Sequence, residues 1–79
     1  MTKKEQIAEL NPEAIIWDDL DDAIIGYHSD GKIVYDQDKI IDILMKRDGM
    51  TSEDAIEYFH FNIGGAYVGE YTPLHITVL

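Results

Sequence analysis

Glu57 and His60 stand three residues apart, on one face of any helix that carries them. A carboxylate and an imidazole at that spacing form the pair that di-iron carboxylate proteins use to share a metal. Such a centre needs a second copy and further carboxylates from other helices. The chain holds one copy, so the pair reads as a polar couple on a helix surface. Asp18, Asp19, Asp21 and Asp22 could gather around calcium, but they lack the alternating acidic ladder with glycine that wraps the ion. Gly64-Gly65-Ala66-Tyr67-Val68-Gly69 lacks the glycine spacing of a phosphate loop and follows a helix-prone run, whereas phosphate loops follow a strand. The glycines there suit a helix C-cap and a tight return of the chain. His28, His60 and His75 are scattered, and no serine sits in a nucleophile elbow. The chain has no cysteine, which excludes thiolate zinc sites, thiol catalysis and disulfides. These residues predict a protein that is not an enzyme and has no catalytic residues, metal or cofactor.

Charge and aromatic residues say more. Sixteen acidic residues against six basic ones give a formal net charge of -10 over 79 residues. Such a surface repels nucleic acid and anionic membranes and attracts a basic protein surface, including a groove built for phosphates. Acidity also keeps a small domain soluble. The densest acidic run is Asp18-Asp19-Leu20-Asp21-Asp22, four carboxylates that cannot sit inside a sheet. It reads as a loop or strand edge with Leu20 turned inward. Trp17 lies next to it as a candidate aromatic anchor, since tryptophan and tyrosine bury much area with few rotors.

The elements that must position these residues follow from local signals. A chain of this length predicts one domain, 1–79, in which 1–12 is a short helix near Lys3–Leu10 or a loose arm. Ala14-Ile15-Ile16-Trp17 is β-prone. Residues 23–28 and 32–35 are two strands around Asp30-Gly31, which predicts a two-residue type I′ turn pairing His28 with Ile33 and Tyr27 with Val34. Asp36 is placed to cap a helix over 37–48, with Ile40, Ile41, Leu44 and Met45 as its apolar stripe and Gly49 closing it. Thr51 caps a second helix from Ser52 to about Ile63, striped by Ala55, Ile56, Phe59 and Ile63. Residues 74–79 alternate as a last strand. The predicted fold is α+β, a small antiparallel sheet of hairpin plus N- and C-terminal strands covered by a two-helix hairpin. Apolar residues on both faces of the β-hairpin suggest that a second copy or the N-terminal arm covers one of them, so a homodimer is expected.

Val34-Tyr35-Asp36, Ile43-Leu44-Met45, Arg47-Asp48-Gly49-Met50-Thr51, Glu57-Tyr58-Phe59, Asn62-Ile63, Gly65-Ala66-Tyr67-Val68-Gly69-Glu70 and Thr72-Pro73 run through the last two-thirds of the chain. This pattern resembles a group of small phage and prophage proteins of uncharacterised function, and Asp21-Asp22-Ala23-Ile24-Ile25-Gly26 resembles the group's earlier segment. The resemblance implies a phage gene context and transfers no catalytic residue. The acidic 18–22 loop departs from the group's pattern. With the charge, it suggests an anti-defence protein of the anti-CRISPR or anti-restriction type, working by protein–protein interaction in the host cytoplasm. Its partner would be a host protein with a basic surface, with no direct nucleic-acid or membrane binding. The partner-binding candidates are Asp18, Asp19, Asp21, Asp22 and Trp17. The alternative is a small-ligand binder or sponge that uses tyrosines and histidines beside the 64–69 glycine loop. No run reaches the roughly 20 apolar residues of a membrane helix, and the first residues lack the apolar segment of a secretion signal.

Overall fold

The computed structural model describes residues 2–79. Helix α1 spans Lys3–Leu10, strands β1 and β2 span Ile24–His28 and Lys32–Asp36, helices α2 and α3 span Gln37–Asp48 and Ser52–Phe59, and strand β3 spans Leu74–Ile76. A single 3₁₀ turn, Asp21–Ala23, precedes β1, and a turn of π-helix, His60–Gly64, extends α3. No helix among the described residues is long and apolar enough to cross a membrane.

The helix ends are set by their caps. Thr2 and Glu5 form a reciprocal capping box that starts α1, so residues 3–10 are a helix, and its Ile7 is buried. Asp36 accepts hydrogen bonds from the Asp38 and Lys39 N–H groups, Gly49 closes α2 at φ 68°, and Thr51 accepts from the Asp54 N–H. Asp36 and Thr51 each satisfy N–H groups that have no partner within the helix, and Gly49 takes a left-handed backbone without a Cβ clash. Ile40 and Leu44 of α2, Ala55 and Phe59 of α3, and Ile24, Ile33 and Tyr35 of the strands join one buried cluster with Ile7. The N-terminal arm thus contributes to the core.

The fold is α+β, and its sheet is mixed. β1 pairs antiparallel with β2, and β2 pairs parallel with β3, in the order β1-β2-β3. This corrects the antiparallel expectation. The α2–α3 pair supplies the long crossover that a parallel pairing requires. The expected strand over Ala14–Trp17 is absent. That segment has no ladder partner, and the Trp17 N–H donates to the phenol oxygen of Tyr35. β3 ends at Ile76, short of residue 79.

The hairpin register also differs from expectation. His28 faces Lys32, Tyr27 faces Ile33 and Gly26 faces Val34. The loop is therefore Ser29-Asp30-Gly31, closed by the Gly31 N–H donating to the His28 carbonyl at 2.9 Å, with Gly31 at φ 89°. A turn ending in a left-handed glycine is the usual three-residue hairpin loop. The one-residue change moves Tyr27 to the face of Ile33 and Tyr35, and His28 to the opposite face. A bulge at Ile25 then lets Ile24 face Tyr35, which leaves Ile24 2% exposed and Ile25 47% exposed. Ile24→Ala is expected to lower unfolding stability by about 2–4 kcal/mol, while Ile25→Ala costs less than about 1 kcal/mol. Urea unfolding of the two variants checks this, and equal costs would rule out the bulged register.

Candidate functional site

The acidic segment is a turn at Asp18-Asp19 followed by the 3₁₀ turn. Leu20 turns inward and is buried, as its apolar side chain demands among four carboxylates. Asp19 adopts φ 60°, a left-handed backbone that a short polar residue tolerates better than most. Its carbonyl accepts a hydrogen bond from Arg47 Nη1 at 2.9 Å. Arg47 also bonds Asp48, which is the main reason its guanidinium is held above its ordinary pKa, with Asp19 and the Tyr58 phenol adding to the effect. One arginine at the end of α2 therefore holds the acidic turn through its backbone carbonyl, and its charge also acts on the Asp19 carboxylate.

The four predicted aspartates are not equivalent. Asp18, Asp19 and Asp22 are exposed. Asp21 is half-buried and pairs with Lys4 at 3.2 Å through one oxygen, while its Oδ1 is buried without a hydrogen-bond partner. The outward charge of the loop thus comes mainly from three side chains, with the exposed cations Lys4 and Arg47 beside them.

Trp17 forms the other support. Its backbone N–H donates to Tyr35 Oη at 2.9 Å, and its indole N–H donates to His75 Nε2 at 2.9 Å. The Trp17 and His75 rings lie 12° from parallel with centroids 6.1 Å apart; Tyr35 stacks on the same imidazole and Phe59 meets it edge-on at 5.3 Å. Burial lowers the His75 pKa, and burial is also the main cause that pushes the Tyr35 phenol up to about 12. Both groups are therefore neutral at pH 7. With Nε2 accepting, the neutral His75 carries its proton on Nδ1. Trp17 is half-buried, and both its backbone N–H and its single indole N–H are used inside the fold.

The sequence reading placed Trp17 and the four aspartates together, and the structure keeps them contiguous. It did not find Tyr35, Arg47 or His75 as their supports. The Trp17–His75 bond spans 58 positions in the chain, and a parallel pairing places His75 opposite Tyr35; no local pattern announces either. Glu57 and His60 are both exposed, and among the described residues no three histidine or carboxylate side chains are placed to hold one metal ion. Beside them, Gln37, Phe59, His60, Gly64, Pro73 and His75 line a solvent-open cleft of about 320 Å³.

No protein family, no curated protein and no solved structure matches the chain.

Proposed function

We propose that the protein is a binding protein without enzymatic activity, which presents Asp18, Asp19, Asp21 and Asp22 to a basic surface of a partner protein. The observation that carries this reading is the support of the loop. It is fastened at Trp17 by Tyr35 and His75 and at Asp19 by Arg47, while Asp18, Asp19 and Asp22 stay exposed. A loop already ordered before contact loses little conformational freedom on binding, and matched charge speeds encounter. Carboxylates so held can occupy sites that a nucleic-acid-handling protein uses for phosphates. Taken with the resemblance to phage proteins, this favours a phage-made inhibitor of a host defence system, of the anti-CRISPR or anti-restriction type, acting in the host cytoplasm. In this reading Trp17 acts as the foundation of the loop more than as a contact.

A second reading, a small-ligand binder, draws on one observation. His60, His75 and Gly64 do meet around a common cleft. That cleft is open to solvent, whereas ligand pockets bury most of the ligand's surface, so the small-ligand reading ranks second to the charge-presenting loop.

The test is affinity capture from bacterial lysate with the wild type and with a variant carrying Asp18→Asn, Asp19→Asn, Asp21→Asn and Asp22→Asn. The expected result is a partner protein whose capture falls with added salt and drops about tenfold or more in the variant. The melting temperature should change little, because the one ion pair lost is a surface pair worth about 0–1 kcal/mol. Unchanged capture by the variant would refute the acidic-loop mechanism, and recovery of a metabolite alone would favour the small-ligand reading.

A further inference from the structure

Helix α1 lies beside β1, the strand at one edge of the sheet. Two hydrogen bonds fasten it there. At its start the Lys3 ammonium donates to the Ile24 carbonyl at 2.7 Å, and just past its end the Asn11 side-chain amide donates to the Gly31 carbonyl at 2.9 Å. Between these two points Ile7 is buried in the core. The helix and the strand therefore run in the same direction, from Lys3 beside Ile24 towards Leu10 and the hairpin loop.

A groove of about 250 Å³ separates them. Lys3, Gln6, Ile7 and Leu10 form one of its walls, at the spacing that places residues on one face of a helix. The other wall is the consecutive β1 run 24–27. The rise from Lys3 to Leu10 along α1 and the rise from Ile24 to Tyr27 along β1 are both roughly 10 Å. Gly26 adds no side chain to its wall, and a Cβ there would meet no atom within 4 Å. Leu10 is 62% exposed and Ile25 47% exposed, so apolar surface on both walls stays in water.

Charge is distributed unevenly along the groove. The chain carries a net charge of -10, yet no carboxylate is among the described residues that line the groove, and Lys3 is the one charged side chain there. No carboxylate among the described residues forms an ion pair with Lys3. Lys3 also borders a separate polar hollow with Thr2, Lys4, Asp21 and Asp22, where Lys4 takes Asp21 at 3.2 Å. An ammonium has three N–H donors, and the Ile24 carbonyl uses one. The groove is therefore apolar along its length, with a cation held at one end.

We propose that this groove binds a medium-chain carboxylate, its anionic head on the Lys3 ammonium and its alkyl chain laid between α1 and β1 towards Leu10. An extended chain of about eight carbons spans roughly 10 Å, the length of the walls. Covering Leu10 and Ile25 removes apolar surface from water. A neutral alkyl chain would leave the ammonium unpaired, and an alkyl cation would be repelled by it. The site shares no residue with the acidic loop, so it stands apart from the capture test above.

The test follows the backbone amides of the full chain by NMR during titration with octanoate, with butyrate, octanol and octylamine in parallel. The amides of residues 24–27 should shift. Octanoate should bind about tenfold or more tightly than butyrate, because each added CH₂ is removed from water. It should bind about threefold or more tightly than octanol, the effect of a partly exposed ion pair, and octylamine should bind most weakly. Lys3→Met should bring octanoate to the level of octanol, whereas Lys3→Arg keeps the preference. Leu10→Ser with Ile25→Ser changes two exposed side chains and should remove most of the dependence on chain length. Thermal melts establish that each variant is folded, and the wild-type ranking of the four ligands decides the matter even where a variant is not. Octanoate binding no tighter than octanol or butyrate, a preference that survives Lys3→Met, or shifts centred on the His60–His75 cleft would overturn the proposal.

Discussion

Gly31→Ala is expected to destabilise the protein by about 2–4 kcal/mol, a large share of the roughly 4–12 kcal/mol available to a chain of this size. Three effects act together. The backbone at φ 89° is one that an L side chain rarely adopts, and forcing a Cβ into the left-handed region costs about 1–2 kcal/mol. A Cβ there would stand 2.7 Å from Tyr71 Cε1 and 2.8 Å from Asn11 Nδ2, so both side chains must move. Moving Asn11 endangers its hydrogen bond to the Gly31 carbonyl at 2.9 Å, worth about 1 kcal/mol. Asn11 also closes α1, its N–H donating to the Ile7 carbonyl. One glycine therefore joins the hairpin loop, the end of the N-terminal helix and the 69–72 loop region. Urea unfolding should show the loss, while Ser29→Ala, at an exposed position of the same loop, should stay within about 0.5 kcal/mol. A Gly31→Ala midpoint close to wild type would mean that the loop relaxes freely and does not organise its surroundings.

That site marks the boundary of what local sequence could tell. Asp30-Gly31 announces a turn because glycine accepts positive φ, but the dipeptide does not say whether two or three residues form the loop. The difference of one residue reversed the faces of Tyr27 and His28. The helices were legible because caps and apolar spacing are local: Asp36, Gly49 and Thr51 each act within one turn of their own position. The pairing of β3 was not. Leu74-His75-Ile76 reads as a strand whatever its partner, and its direction is set by the return path through α2 and α3. Ala14–Trp17 looks like a strand by composition, yet the Trp17 N–H bonds a tyrosine side chain and joins no ladder. The acidic loop was legible from charge alone. Its supports were not, because Arg47, Tyr35 and His75 reach it from elements distant in sequence.

The second large effect is expected at His75. Its imidazole accepts the indole N–H of Trp17, stacks on Trp17 and Tyr35, and meets the edge of Phe59. The titratable groups on the elements around it are the Tyr35 phenol from β2 and His60 from the turn after α3, and no carboxylate forms an ion pair with it among the described residues. Burial therefore lowers its pKa from the ordinary 6.5. The sign follows from proton binding. As pH falls below the ordinary value, the unfolded chain takes up a proton that the folded chain refuses, so stability declines. The contribution is complete above about pH 6.5, shrinks as pH falls towards the lowered folded value, and is gone below it. Protonation also removes the lone pair that holds the Trp17 N–H, so the foundation of the acidic loop loosens in the same range. His75→Phe keeps an aromatic ring but leaves the indole N–H without its acceptor, at a cost of about 1–3 kcal/mol; His75→Ala also opens a cavity among three rings and should cost about 2–4 kcal/mol. Trp17 is the only tryptophan, so its fluorescence reports the bond directly. Its emission should change as pH falls below 6.5 through the lowered folded value, and the change should vanish in His75→Phe while persisting in His60→Gln. If His75→Phe keeps both the pH-dependent emission and the wild-type fall in stability, another group sets the acid response, and the imidazole is a packing element whose proton the loop does not sense.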